Sequence, residues 1–250
     1  RLRMIALTGA RSWSLDMAAC RARGIVVCNT RSDHSTAATS ELTLALLLAA
    51  ARHVPAADRS MRAGRFQSDV PTGVVLAGKK LGVLGLGKIG SRLAQFGRVL
   101  GMDVIAWSQN MTADAAQAAG ARLVDKATLF AESDAITLHV VLGDRTRGIV
   151  GAGELARMKP GAILVNTSRG PLVDEAALVA ALRTGRITAG LDVYDQEPLP
   201  ADHPLRTLPN VVLTPHLGYC TREVYAQYWR EAIEDVIAFL DGAPVRVMNP

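Results

Sequence analysis

Apolar residues in this chain fall into short runs at residues 4–7, 25–28, 81–84, 104–107, 122–124, 135–139, 162–166, 187–192 and 211–214. Each has the length of a strand, and most are separated by stretches whose apolar positions recur at helical spacing, as at 174–183. Strand and helix in alternation predict an α/β fold with a doubly wound parallel sheet. Residues 14–23 read as a short helix ended by Gly24, and 221–240 as a closing helix stopped by Asp241 and Gly242. Residues 35–52 form a longer helix. Leu42, Leu44, Leu46, Leu47 and Leu48 make it apolar nearly all round, which predicts burial between layers or subunits. Pro55 is expected to interrupt that helix, with a more polar helical stretch running on to residue 65. Residues 66–78 and the proline-punctuated segment 198–209 read as surface loops.

One junction carries more than secondary structure. Gly85-Leu86-Gly87-Lys88-Ile89-Gly90 fits G-x-G-x-x-G, with a strand-like run before it. After it, Ile89, Leu93, Phe96, Gly97 and Leu100 fall at helical spacing. Strand, glycine turn and helix together are what a dinucleotide site requires. Gly85 permits the tight turn, Gly87 lets backbone approach a pyrophosphate, and Gly90 lets helix and strand pack closely. The helix N-terminus offers free N–H groups to the phosphates, and Lys88 adds a cation there. The next strand should end on an acidic residue for the ribose hydroxyls. Ser108 stands there instead, followed by Gln109 and Asn110. An Asp would repel the 2'-phosphate of NADP, and no Arg follows to grip one, so the cofactor reads as NAD or NADP.

Composition narrows the rest. The chain has 250 residues, 49% of them hydrophobic and only 4% aromatic, so its core is built of Ala, Val, Leu and Ile. A net charge of +5 is spread without a dense Lys/Arg run, which argues against a nucleic-acid partner. Cys20, Cys28 and Cys220 show no C-x-x-C spacing and no metal framework, and fit a reduced cytoplasmic setting. The apolar stretch 42–51 is too short to span a bilayer.

Three segments at the carboxyl ends of late strands carry candidate chemistry: 165–170, 190–198 and 213–218. They supply the guanidinium of Arg169, the carboxylates of Asp192 and Glu197, and the imidazole of His216. Arg grips a carboxylate through two parallel N–H groups, His moves a proton near neutral pH, and a neighbouring carboxylate keeps that His protonated and oriented. Taken singly, each has a plainer reading: a surface ion pair for Arg169, a loop former for Glu197, a capped core residue for His216. Their joint occurrence in this order favours hydride-transfer chemistry on a 2-keto acid. His139 reads as structural, and His34, His53 and His203 as solvated. No Tyr-x-x-x-Lys pair occurs, which sets aside the dehydrogenases that use one.

These residues resemble the D-isomer-specific 2-hydroxyacid dehydrogenases. The glycine loop, 166–175, 189–198, 214–218 and the tail 238–250 occur in that family's order and cover nearly all of the chain. The related formate dehydrogenases carry Gln where this chain has Glu197. The resemblance implies a Rossmann domain over 31–220. Residues 1–30 would be the end of a flavodoxin-like substrate domain whose start is absent, and 221–250 a closing helix and tail packed back on it. A polypeptide with these residues alone is then expected to bind dinucleotide but to turn over 2-keto acids poorly.

By the same resemblance, Arg169 clamps the substrate, His216 donates or accepts the proton, and Glu197 pairs with His216. Thr8, Gly9 and Ala10 form a turn whose N–H groups meet the substrate carboxylate. Gly85, Gly87, Lys88, Ile89 and Gly90 hold the pyrophosphate, Ser108 and Gln109 the ribose, and Asp192 the nicotinamide carboxamide. Val140, Thr146, Thr167, His216 and Gly218 complete the cofactor lining. The substrate would be a small D-2-hydroxy or 2-keto acid and the assembly a homodimer paired through 42–48. The rival is a non-catalytic dinucleotide-binding module of the corepressor type.

Overall fold

The computed structural model describes residues 1–10, 12 and 15–249. In chain order the elements are β1 (Met4–Ala6), α1 (Met17–Ala22), β2 (Val26–Cys28), α2 (Ser35–Arg52), α3 (Val54–Arg62), β3 (Lys80–Leu84) and α4 (Lys88–Val99). Then come β4 (Asp103–Trp107), α5 (Ala113–Ala118), β5 (Arg122–Leu123), α6 (Lys126–Glu132), β6 (Ala135–Leu138) and α7 (Ala152–Arg157). The chain closes with β7 (Ile163–Asn166), α8 (Glu175–Arg183), β8 (Thr188–Leu191), β9 (Val211–Leu213) and α9 (Arg222–Leu240). Two compact units emerge: residues 1–38 with 219–250, and residues 39–218.

In the larger unit the strands order as β5-β4-β3-β6-β7-β8-β9, every pairing parallel. The chain winds outward from β3 in both directions, and the switch point falls between β3 and β6, where open α/β sheets bind ligands. Alternate residues of each strand feed opposite cores. Leu81, Val83, Val104, Ala106, Ile163 and Val165 pack with Leu46 and Leu47 of α2 and Ala94 of α4. Leu84, Ile105, Ile136, Leu138 and Leu164 pack on the other face with Leu129 and Phe130 of α6 and Leu178 and Leu182 of α8. Several helices carry side-chain caps that their sequences spell out: Asp125 accepts from Thr128 N at 2.8 Å, Asp174 from Ala177 N at 3.0 Å.

Two expectations need correction, the break after α2 and the solvation of His203, and two are filled in. The break after α2 is at His53, whose φ of 52° is left-handed, and Pro55 sits harmlessly in the first turn of α3, which ends at Arg62. Leu46 and Leu47 are buried on the sheet, but Leu48 stays exposed, so α2 is not enclosed all round within this chain. The segment 198–209 is anchored rather than loose. It forms a 3-10 turn at Pro204–Arg206, buries Leu205, and ties His203 Nε2 to Glu175 Oε1 at 3.0 Å. His203 is therefore a packed residue, not a solvated one.

The smaller unit pairs β1 with β2 in parallel, Met4 opposite Val26. α1 starts from the Asp16 cap; Ser14, expected within it, lies outside the described residues. Thr221 caps α9, and the tail returns along β2 through a bridge from Cys28 to Val247. Arg246 closes this arrangement, its Nε 2.8 Å from Oδ1 of the fully buried Asp235.

Candidate active site

Because the large sheet is parallel, β4, β3, β6, β7, β8 and β9 deliver their carboxyl ends to one edge, as neighbours. That edge collects Ser108, Gly85, Val140, Arg169, Asp192 and His216, residues up to 131 positions apart in sequence.

The glycine turn obeys its geometry. Gly85 has φ 96°, and a Cβ there would lie 2.8 Å from Val140 Cγ1 and from the His139 carbonyl carbon. A Cβ on Gly90 would overlap the Gly85 carbonyl oxygen, so α4 can approach the turn only with glycine there. Gly87 caps α4 and nothing lies within 4 Å of where its Cβ would be, leaving open space in front of the helix N-terminus. Lys88 is exposed beside it and Ile89 half-buried. A pyrophosphate fits this arrangement: free N–H groups, room for close approach and a cation.

Arg169 is exposed at the end of β7, where its Nη1 donates to the Ser168 carbonyl at 2.6 Å. Asn166 shapes that loop by donating to the Arg169 carbonyl at 2.9 Å and accepting from Ser168 N at 3.0 Å. Two strands along, His216 Nδ1 lies 2.7 Å from Glu197 Oε2, both side chains about one-third exposed. Glu197 Oε1 accepts from Tyr194 N at 3.0 Å. His216 has φ 56°, a left-handed conformation that a non-glycine residue keeps only where its surroundings hold it.

The holding group is Asp192. Its buried carboxylate accepts from Thr214 Oγ1 at 2.6 Å, Leu217 N at 2.7 Å and Gly218 N at 2.9 Å, and its carbonyl accepts His216 N at 2.8 Å. An aspartate with three internal donors is a fastener for the 214–218 loop. Its position also lies where a nicotinamide carboxamide was expected.

Other expected contacts are already engaged. Thr167 Oγ1 lies 2.7 Å from Thr43 Oγ1, both buried. Thr146 Oγ1 closes its own turn by accepting from Gly143 N at 2.9 Å and donating to Val141 O at 2.7 Å. Ser108 follows β4 half-buried and Gln109 is exposed. In the smaller unit, Gly9 N donates to Thr30 Oγ1 at 2.7 Å, so of the Thr8-Gly9-Ala10 turn the Gly9 N–H is committed within the protein. His139 is half-buried, yet both ring nitrogens are sealed from solvent without a hydrogen-bond partner among the described residues, and burial lowers its pKa to about 3.

The family model for the NAD binding domain of D-isomer specific 2-hydroxyacid dehydrogenases matches residues 44–218. The chain belongs to this family. It is 42% identical over 246 residues to a D-3-phosphoglycerate dehydrogenase of Archaeoglobus fulgidus, covering 98% of this chain and 46% of that protein. It is 42% identical over 258 residues to a glyoxylate reductase of Aeropyrum pernix, covering 100% of this chain and 77% of the relative. The chain thus spans about half the length of the former relative. Among solved structures, a phosphoglycerate oxidoreductase from Vibrio cholerae superposes with a TM-score of 0.92 at 40% identity, covering 97% of this chain and 78% of that one. A D-lactate dehydrogenase from Aquifex aeolicus, complexed with NAD and lactic acid, gives 0.81 at 28%, covering 100% and 81%.

Two features of this family member had no sequence signal. Tyr194 reaches Thr214 across 20 positions, with its hydroxyl 2.8 Å from that carbonyl. Glu175 and His203 form a second carboxylate–imidazole pair, 28 positions apart. Both depend on strand order, which no local spacing encodes.

Proposed function

We propose that this chain carries the cofactor-binding and proton-transfer residues of an NAD(P)-dependent oxidoreductase acting on small D-2-hydroxy acids and 2-keto acids. The observation that carries this reading is the 2.7 Å contact between His216 Nδ1 and Glu197 Oε2, at the same sheet edge as Arg169 and the glycine turn. Gly85, Gly87, Lys88, Ile89 and Gly90 hold the pyrophosphate. Ser108 and Gln109 meet the ribose, and Val140, Thr146, Thr167 and Gly218 line the remaining length. The bound dinucleotide supplies or accepts the hydride. His216 gives a proton to the keto oxygen in reduction and takes it back in oxidation. Glu197 fixes the ring's orientation and stabilises its protonated form. Arg169 holds the substrate carboxylate and polarises the carbonyl, swinging from its resting contact with Ser168. Cys20, Cys28 and Cys220 form no disulfide among the described residues, which supports a reducing, cytoplasmic setting.

Assay of the full chain against a panel of 2-keto acids, with NADH and NADPH in turn, tests the reading. Detectable turnover, slow for these residues alone, is expected with both cofactors, because Ser108 offers no charge to repel a 2'-phosphate. A preference for NADH above about a hundredfold, worth about 2.7 kcal/mol, would show that another group does the rejecting. Dinucleotide binding without turnover of any acid would replace the enzyme by a binding module.

We also propose a twofold homodimer. Exposed Leu48, Met61, Phe66, Val74 and Val75 cluster in the segment from α2 to β3, more apolar surface than a solvated flank needs. Light scattering at micromolar protein should give twice the 26.5 kDa chain mass; a monomer mass would rule the dimer out.

A further inference from the structure

The His216–Glu197 pair borders a cavity of about 570 Å³, whose other walls include Pro198, Leu199, Arg206 and Leu213. Side chains with open space beside them are not held in place by packing, so directional bonds must set their geometry. Asp192 holds the main chain of 216–218, and Tyr194 holds the two remaining anchors, Glu197 and the Thr214 carbonyl. The tyrosine N–H donates to Glu197 Oε1 at 3.0 Å, while its hydroxyl lies 2.8 Å from the Thr214 carbonyl and 3.2 Å from that of Leu191, sharing one proton between them. The Thr214 carbonyl also accepts His216 N–H at 3.1 Å. One carbonyl thus joins the tyrosine to the histidine's own backbone. On the opposite side, a Cβ on Gly170 would overlap the Tyr194 carbonyl group, so the loop of Arg169 rests directly on Tyr194 main chain.

We infer that Tyr194 is a positioning residue for proton transfer, setting the Glu197–His216 geometry through its main chain and its hydroxyl; this rests on the function proposed above. The side chain is buried, and burial, reinforced by Asp192 and Glu197, pushes its phenol up to about 12. The hydroxyl therefore remains a donor throughout the working pH range. Phenylalanine would fill the same volume but leave the Thr214 carbonyl without this donor. The bonds from Asp192 would remain, and so would the fold. What loosens is the Thr214 carbonyl, the second acceptor of the His216 N–H, and with it the alignment of the ring on Glu197.

Tyr194→Phe is expected to lower kcat about tenfold, as a modest misplacement of an acid–base group does. The KM for dinucleotide should stay within about twofold. The Nδ1 proton of the His216 ring, read by NMR of the resting protein, should exchange with water about tenfold faster because its bond to Glu197 is less well aligned. Wild-type kcat together with an unchanged exchange rate would overturn the inference. Equal losses of turnover and dinucleotide affinity would also overturn it, since they would mark general loosening of the fold. The exchange measurement needs no turnover, so it judges Tyr194 even if the 2-keto acid assay fails, and that assay judges the reaction whatever Tyr194 does.

Discussion

Asparagine at position 216 is expected to lower kcat by about 10²–10⁴-fold, the usual worth of a positioned acid–base group, while leaving dinucleotide affinity within a few-fold. His216 has φ 56°, a region that asparagine tolerates better than most residues, so His216→Asn keeps the loop conformation. The bonds that hold the loop, from Leu217 N and Gly218 N to Asp192, involve main chain at residues other than 216 and survive. What disappears is a ring that can carry a proton, with Glu197 left beside an amide that cannot be protonated at working pH. Steady-state kinetics on a 2-keto acid and fluorescence titration of the dinucleotide separate the two quantities. Wild-type turnover in this variant would remove His216 from the chemistry.

Acid should destabilise the protein through His139. Its ring nitrogens are sealed, and burial lowers its pKa from 6.5 to about 3 in the folded chain. Below pH 6.5 the unfolded chain takes up a proton that the folded chain refuses, so stability falls as pH falls. The loss from this group runs at about 1.4 kcal/mol per pH unit and ends near pH 3, where the folded ring protonates too. Above pH 6.5 the group contributes no slope. Urea unfolding at a series of pH values should show this component, and His139→Gln should flatten it. The readout is the slope rather than the absolute stability, so an overall cost of the substitution does not obscure the result. An equal slope in both proteins would mean that the ring reaches water or a partner in solution.

The sheet, its helices and the glycine turn were legible in the chain because their causes are local. Strand-length apolar runs and the helical spacing of Ile89, Leu93 and Gly97 act over a few residues. Gly85 needs positive φ and Gly90 has no room for a Cβ, and both constraints arise within one turn. The family's order of motifs placed Arg169, Glu197 and His216 as candidates.

The rest waited for the tertiary arrangement. Nothing near Asp192 announces that its carboxylate is occupied by Thr214, Leu217 and Gly218, more than 20 positions away. Nor does Thr167 announce Thr43, or Gly9 announce Thr30. His203 read as solvated because its neighbours are polar and proline-rich, yet it packs against Glu175 of α8. Such partners are set by strand order and by which loops meet at one sheet edge. A hydrogen bond is decided over about 3 Å in space, whereas residue spacing reports distance along the chain only within a turn or two.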